Sequence, residues 1–187
     1  MILSIVSTYF HSILSHVPWG HWVVMSLLSL ALTVTLLIRK KGSGYGAICL
    51  GITVFVGMLL METAVVTRYL GFLSHSSGVN LGFALDRLYH GTRQARMETL
   101  SNIAVFVPFG FFLSEFLAST KRYGAWRRIG LAALLGLGLS LCIECLQLIL
   151  HVGYFEVTDL VMNTVGAFVG AGMAVMARAV SVGKKES

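Results

Sequence analysis

Five stretches of this chain stay apolar for the length of a bilayer-crossing helix: residues 19–38, 47–69, 99–117, 129–150 and 159–180. The hydrocarbon core of a membrane is about 30 Å thick and takes about 20 helical residues to cross. Within it every backbone N–H and C=O needs a partner inside the protein. Apolar runs of this length meet that demand as helices. The composition agrees. Only 12% of residues are charged, where soluble domains carry about 25%. The expected fold is all-α: a polytopic membrane helix bundle with about five transmembrane helices, one domain in 187 residues.

The segment ahead of the first run has a different pattern. Ile2, Leu3, Ile5, Val6, Tyr9, Phe10, Ile13 and Leu14 alternate with Ser4, Ser7, Thr8, His11, Ser12 and Ser15 at helical spacing. That predicts an amphipathic helix, too short to span, lying in the membrane interface. Without a basic n-region it does not read as a cleavable signal peptide. Pro18 ends it or starts the next element. Cys49, Cys142 and Cys145 all fall inside apolar runs, which argues against a disulfide framework. Cys142 and Cys145 form a lone C-x-x-C and read as small packing residues.

The formal net charge of +6 lies in short clusters between the runs. It forms no continuous basic face, so no nucleic-acid partner is expected. The clusters read instead as topology signals. Arg39, Lys40 and Lys41 follow the first run. Lys121, Arg122, Arg127 and Arg128 follow the third, and Arg178, Lys184 and Lys185 the fifth. The alternate side has only Arg68, Arg87, Arg93 and Arg96. The expected topology therefore has the N-terminus outside and the C-terminus in the cytoplasm. Trp19 and Trp22 suit an outer interfacial belt. A long segment, roughly 70–98, and a short one, roughly 151–158, are expected on the outer side.

With that topology the membrane-embedded polar residues converge. Glu62, Asn102, Glu144, Gln147, Asp159 and Asn163 come to similar depths beneath the outer surface at 1.5 Å per helical residue. All six histidines fall on the same side. On the fourth run, Ala133, Gly136, Ser140, Glu144, Gln147 and His151 share one helical stripe. On the fifth, Asp159, Asn163, Gly166, Gly170 and Ala174 share another. The two stripes are expected to face each other in an antiparallel hairpin, small residues deep and polar residues at the outer mouth. Polar side chains also serve as interhelical glue, each worth under about 2 kcal/mol, and Asn102, Asn163 or Glu62 alone fits that role equally well. Two acids together favour a pocket, because buried carboxylates are costly and mark function by default.

The stretch NIAVFVPFGFFL, residues 102–113, resembles the N-x-x-x-F-x-P-x-G signature of VanZ-like membrane proteins. Glu144, Gln147, Asp159, Asn163 and Gly166 match that family's second signature, E-x-x-Q followed by D-x-x-x-N-x-x-G. NLGF, at 80–83, resembles its N-x-x-P-F segment weakly, with Gly82 where proline is usual. Gly153 stands where the family has an arginine. The resemblance divides the chain. Residues 1–46 are an added module of amphipathic helix and transmembrane helix. Residues 47–180 are a VanZ-like four-helix core, and 181–187 a cytoplasmic tail. It implies a bacterial protein of the cytoplasmic membrane acting at its outer face, named for resistance to glycopeptides, notably teicoplanin.

Three functions compete. The first is binding or modulating an amphiphile: a membrane lipid, a lipid-linked envelope precursor or a lipoglycopeptide. Its head would sit on Asn102, Glu144, Gln147, Asp159 and Asn163, with Arg93 and Arg96 supplying the missing positive charge and Arg87 a further phosphate contact. The second is an intramembrane enzyme on a lipid-linked substrate, with Glu144 and Asp159 as acid and base and His151 or His90 assisting. The histidines lack tight ligand spacing, so neither a metal nor a cofactor is expected. The third is a transporter or flippase, which the one-sided polar cluster opposes. Pro108 is expected to kink the third span by releasing the Ala104 carbonyl. Ligand identity and oligomeric state stay open at this level.

Overall fold

A computed structural model describes residues 17–38, 43–66, 78–82 and 89–186, with side chains to 181. Five helices in it are long and apolar enough to cross a membrane. They are α1 (Trp19–Ile38), α2 (Gly44–Met61), α3 (Arg93–Ser119), α4 (Ala125–Ile149) and α5 (Val157–Glu186). The protein is a multi-pass, all-α membrane protein, as the apolar runs predict. The amphipathic helix expected over residues 1–16 lies outside the described residues.

α1 is peripheral. Only Met25 is buried in it, and its exposed Val23, Leu27, Leu28 and Ile38 suit lipid contact. It leans on α2 through a hydrogen bond from Ser29 Oγ to the Gly51 carbonyl (2.8 Å) and through the Trp22 and Phe55 rings, 6.3 Å apart. Ser43 caps α2 by accepting from Gly46 N. At its other end α2 widens into a π-helical turn, Glu62–Val66. Such turns leave carbonyls that need partners from elsewhere.

α3, α4 and α5 form the core around Phe106, Phe109, Leu113, Ala132, Ile143, Ala167 and Ala171. The closest approach is between α3 and α5. A Cβ added at Gly170 would lie 2.0 Å from the Val107 carbonyl oxygen, and one at Gly166 2.2 Å from that of Ile103. This corrects the expectation that the α4 and α5 stripes face each other along their length. They do meet at Ser140 with Asn163 and at Gly136 with Ala167, but Gly166 and Gly170 turn to α3. The reason is geometric: α5 lies against two neighbours, so Asn163 and Ala167 turn to α4 while Gly166 and Gly170 fall on the adjacent face toward α3. α3 runs unbroken through Pro108.

The connections add one feature the sequence pattern does not announce. Gly78–Asn80 (β1) pairs in parallel with Tyr154–Glu156 (β2), Val79 opposite Phe155. Three-residue strands are too short for an alternating pattern to register. The ladder ties the segment between α2 and α3 to the turn between α4 and α5. Thr158 Oγ1 adds a hydrogen bond to the Gly82 carbonyl (2.8 Å).

Candidate functional site

Glu144 sits on α4, 2% exposed, among the most buried side chains of the molecule. Its Oε2 accepts a 2.7 Å hydrogen bond from the Glu156 backbone N–H. Charge-assisted bonds of this kind are short and roughly twice as strong as neutral ones. The carboxylate thus reaches across the hairpin to the last residue of β2. Asp159 follows three residues later in the first turn of α5, where a negative charge complements the helix dipole. Glu144, Glu156 and Asp159 all have further interaction partners.

One turn deeper, Asn163 Nδ2 donates to Ser140 Oγ (2.8 Å). Asn163 is 6% exposed, and its Oδ1 is buried without a hydrogen-bond partner. Exchanging the amide's O and N would satisfy one atom and orphan the other. Asn102, half-buried on α3, comes to this depth because the next carbonyl, Ile103, meets Gly166.

Gln147, 5% exposed, donates from Nε2 to the Ala64 carbonyl (2.9 Å). Ala64 lies inside the π turn, so the amide satisfies a carbonyl that irregular winding exposes. Glu62, at the start of that turn, is buried and pairs with His21 Nδ1 on α1. Through these bonds Glu62, Gln147, Glu144, Asn163 and Asp159 gather at one end of the bundle. The His21–Glu62 pair escaped the sequence reading. The sequence carries its signal: the expected topology puts His21 and Glu62 on the same side of the membrane.

Arg93 opens α3 and Arg96 follows, both exposed. Among the described residues neither forms an ion pair with a carboxylate. Arg68 and Arg87 lie outside the described residues. Gly153 is buried in the turn ahead of β2. His151, an expected catalytic assistant, has a structural task in its backbone. It takes φ 57° just past α4, and the next N–H, Val152, bonds back to the Gln147 carbonyl (2.9 Å). That is a helix C-cap in which glycine is the usual residue. His90 is exposed. No trio of His, Cys, Asp or Glu suited to a metal occurs among the described residues.

A second polar cluster occupies the opposite end. Glu115 on α3, 4% exposed, accepts two 2.8 Å bonds from Arg178 Nε and Nη2 and one of 2.5 Å from Tyr45 Oη. The Arg178 guanidinium also stands 5.7 Å from the Tyr45 ring centre. Its partners, Tyr45 on α2 and Arg178 on α5, come from helices far apart in the chain.

Comparison with known proteins places these residues in context. The chain is similar to Protein VanZ of Enterococcus faecium, 34% identical over 73 residues, which is 39% of this chain and 41% of the relative. The chain therefore matches well under half the length of that curated relative. No solved structure shows a significant match. The family model for VanZ/LLP1 matches residues 47–178, a stretch that holds Asn102, Glu144, Gln147, Asp159 and Asn163 and leaves α1 outside. Covering well over half of the chain, that match shows that it belongs to the VanZ/LLP1 family.

Proposed function

We propose that this protein binds the polar head of an amphiphile at the Glu144 end of the bundle, from the outer leaflet of the cytoplasmic membrane. The amphiphile is a membrane lipid, a lipid-linked envelope precursor or a lipoglycopeptide. The supporting observation is the run of buried polar side chains shared by α4 and α5. Glu144, Gln147 and Asn163 are each at least nine-tenths buried, and the Asn163 carbonyl oxygen has no partner. Buried polar atoms in native proteins are nearly always satisfied, by water or ligand where not by protein. Family membership and the similarity to Protein VanZ support a role in glycopeptide resistance. The basic clusters after α1, α3 and α5 support an outward-facing Glu144 end.

The test is native mass spectrometry of the gently extracted protein, comparing wild type with Glu144→Gln and Asp159→Asn. Each substitution keeps size and one oxygen acceptor while removing charge. A co-purifying amphiphile lost from both variants supports the reading. Equal retention of every bound amphiphile by all three proteins refutes it. In cells, expression of the wild type and not of Glu144→Gln is expected to raise resistance to teicoplanin.

A further inference from the structure

The end of the bundle opposite Glu144 holds a groove of about 460 Å³ between α1, α2, the last turn of α3 and the α3–α4 loop. Its volume is within the usual range of small-ligand sites, about 300–1,000 Å³. Leu36, Leu50 and Phe116 form an apolar wall; Ser43, Thr120 and Arg122 supply the polar part. A greasy wall meeting hydroxyls and a guanidinium at the end of transmembrane helices has the chemistry of a phospholipid, chain and head together.

Charge at this end is positive among the described residues. Lys121, Arg122 and Arg127 are exposed there. Arg128, nine-tenths buried, leaves Nε and Nη1 without hydrogen-bond partners. The buried acid of this end, Glu115, is held by Arg178 and Tyr45 and feels the charge of Arg128, but among the described residues no carboxylate forms an ion pair with Lys121, Arg122 or Arg127. The backbone also turns in an unusual way. Lys121 leaves α3 with φ 55°, a conformation glycine usually takes, and the residues that follow it, Arg122 and Tyr123, line the groove.

We infer that this groove is a binding site for an anionic glycerophospholipid, its phosphate on Arg122 and the Ser43 hydroxyl and an acyl chain against Leu36, Leu50 and Phe116. The site is separate from the Glu144 cluster and does not depend on which way the protein faces. Clusters of Lys and Arg beside transmembrane helices attract anionic lipid. This groove adds a shaped apolar seat to that attraction.

The test uses the full chain in neutral detergent, titrated with phosphatidylglycerol or with phosphatidylcholine of the same chains, read by native mass spectrometry. Wild type is expected to prefer phosphatidylglycerol, and Arg122→Gln to weaken that binding about tenfold, as loss of one charge-assisted contact implies. Arg122→Lys keeps most of the preference. Arg122 is exposed, and unchanged melting temperatures confirm that the variants fold. Glu144→Gln is expected to keep the preference, which separates this site from the proposed amphiphile site. Equal affinity of wild type for the two lipids overturns the inference. So does an unchanged preference in Arg122→Gln, or displacement of the lipid by millimolar inorganic phosphate.

Discussion

Replacing Gly170 by alanine tests the α3–α5 contact that carries the bundle. The new Cβ would stand 2.0 Å from the Val107 carbonyl oxygen and 2.9 Å from Phe111 N. Both atoms belong to α3 backbone and cannot swing aside. Carbon–oxygen contacts between helices settle at about 3.3–3.6 Å, so the helices must separate by more than 1 Å locally, or shift register. Overpacking of this kind costs about 1–3 kcal/mol, and we expect about 2 kcal/mol here. Gly172→Ala is the control. It lies two residues away on the same helix, with nothing within 4 Å of its would-be Cβ. It should be neutral or gain up to about 1 kcal/mol of helix propensity. Thermal and denaturant unfolding of both variants in one detergent gives the comparison. Equal stability of Gly170→Ala and Gly172→Ala would refute the close approach of α3 and α5. Because that contact also brings Asn102 to the depth of Asn163, Gly170→Ala should disturb the site as well as the fold.

Three further substitutions probe other contacts. Arg178→Met leaves Glu115 buried with only Tyr45. Breaking buried pairs costs about 3–5 kcal/mol, and because Arg178 is 39% exposed we expect the low end, about 3, in equilibrium unfolding. His151→Gly relieves a left-handed backbone that costs a side-chain-bearing residue about 1–2 kcal/mol; less the added chain entropy of glycine, it should raise the melting temperature slightly. A loss of stability would show that His151 makes contacts beyond the cap. Ser140→Ala removes the hydroxyl that Asn163 uses and should cost about 0.6–1.7 kcal/mol, the range for interhelical bonds in membranes. A double-mutant cycle with Asn163→Ala measures that coupling directly.

Much of the architecture is legible in the chain because a bilayer asks one simple question of each segment. Apolar length alone places the helices, and the expected first span coincides with α1, Trp19–Ile38. The third is longer than expected, Arg93–Ser119, because its first turn is polar. Thr92, whose side chain accepts from Ala95 N, sets where it begins. Depth is legible too. Glu62, Gln147, Glu144 and Asn163 gather at one end, as counting residues along antiparallel helices predicts.

Which neighbour each residue faces is another matter. Gly166 and Gly170 could serve either α3 or α4 by spacing alone, and the choice depends on how three helices share one core. Gln147 reads as a ligand contact, yet one of its N–H groups goes to Ala64, because a π turn no pattern announces leaves that carbonyl in need of a donor. Tyr45, Glu115 and Arg178 meet across seventy and sixty-three residues of sequence. The amino-acid order by itself determined that this chain is a multi-pass membrane protein with five apolar runs of spanning length, which of its polar residues share an end of the bundle, and its family. Only the tertiary structure decided the partners of those residues, because rotation of one helix about another is set by packing among all of them and leaves no periodic trace in any one.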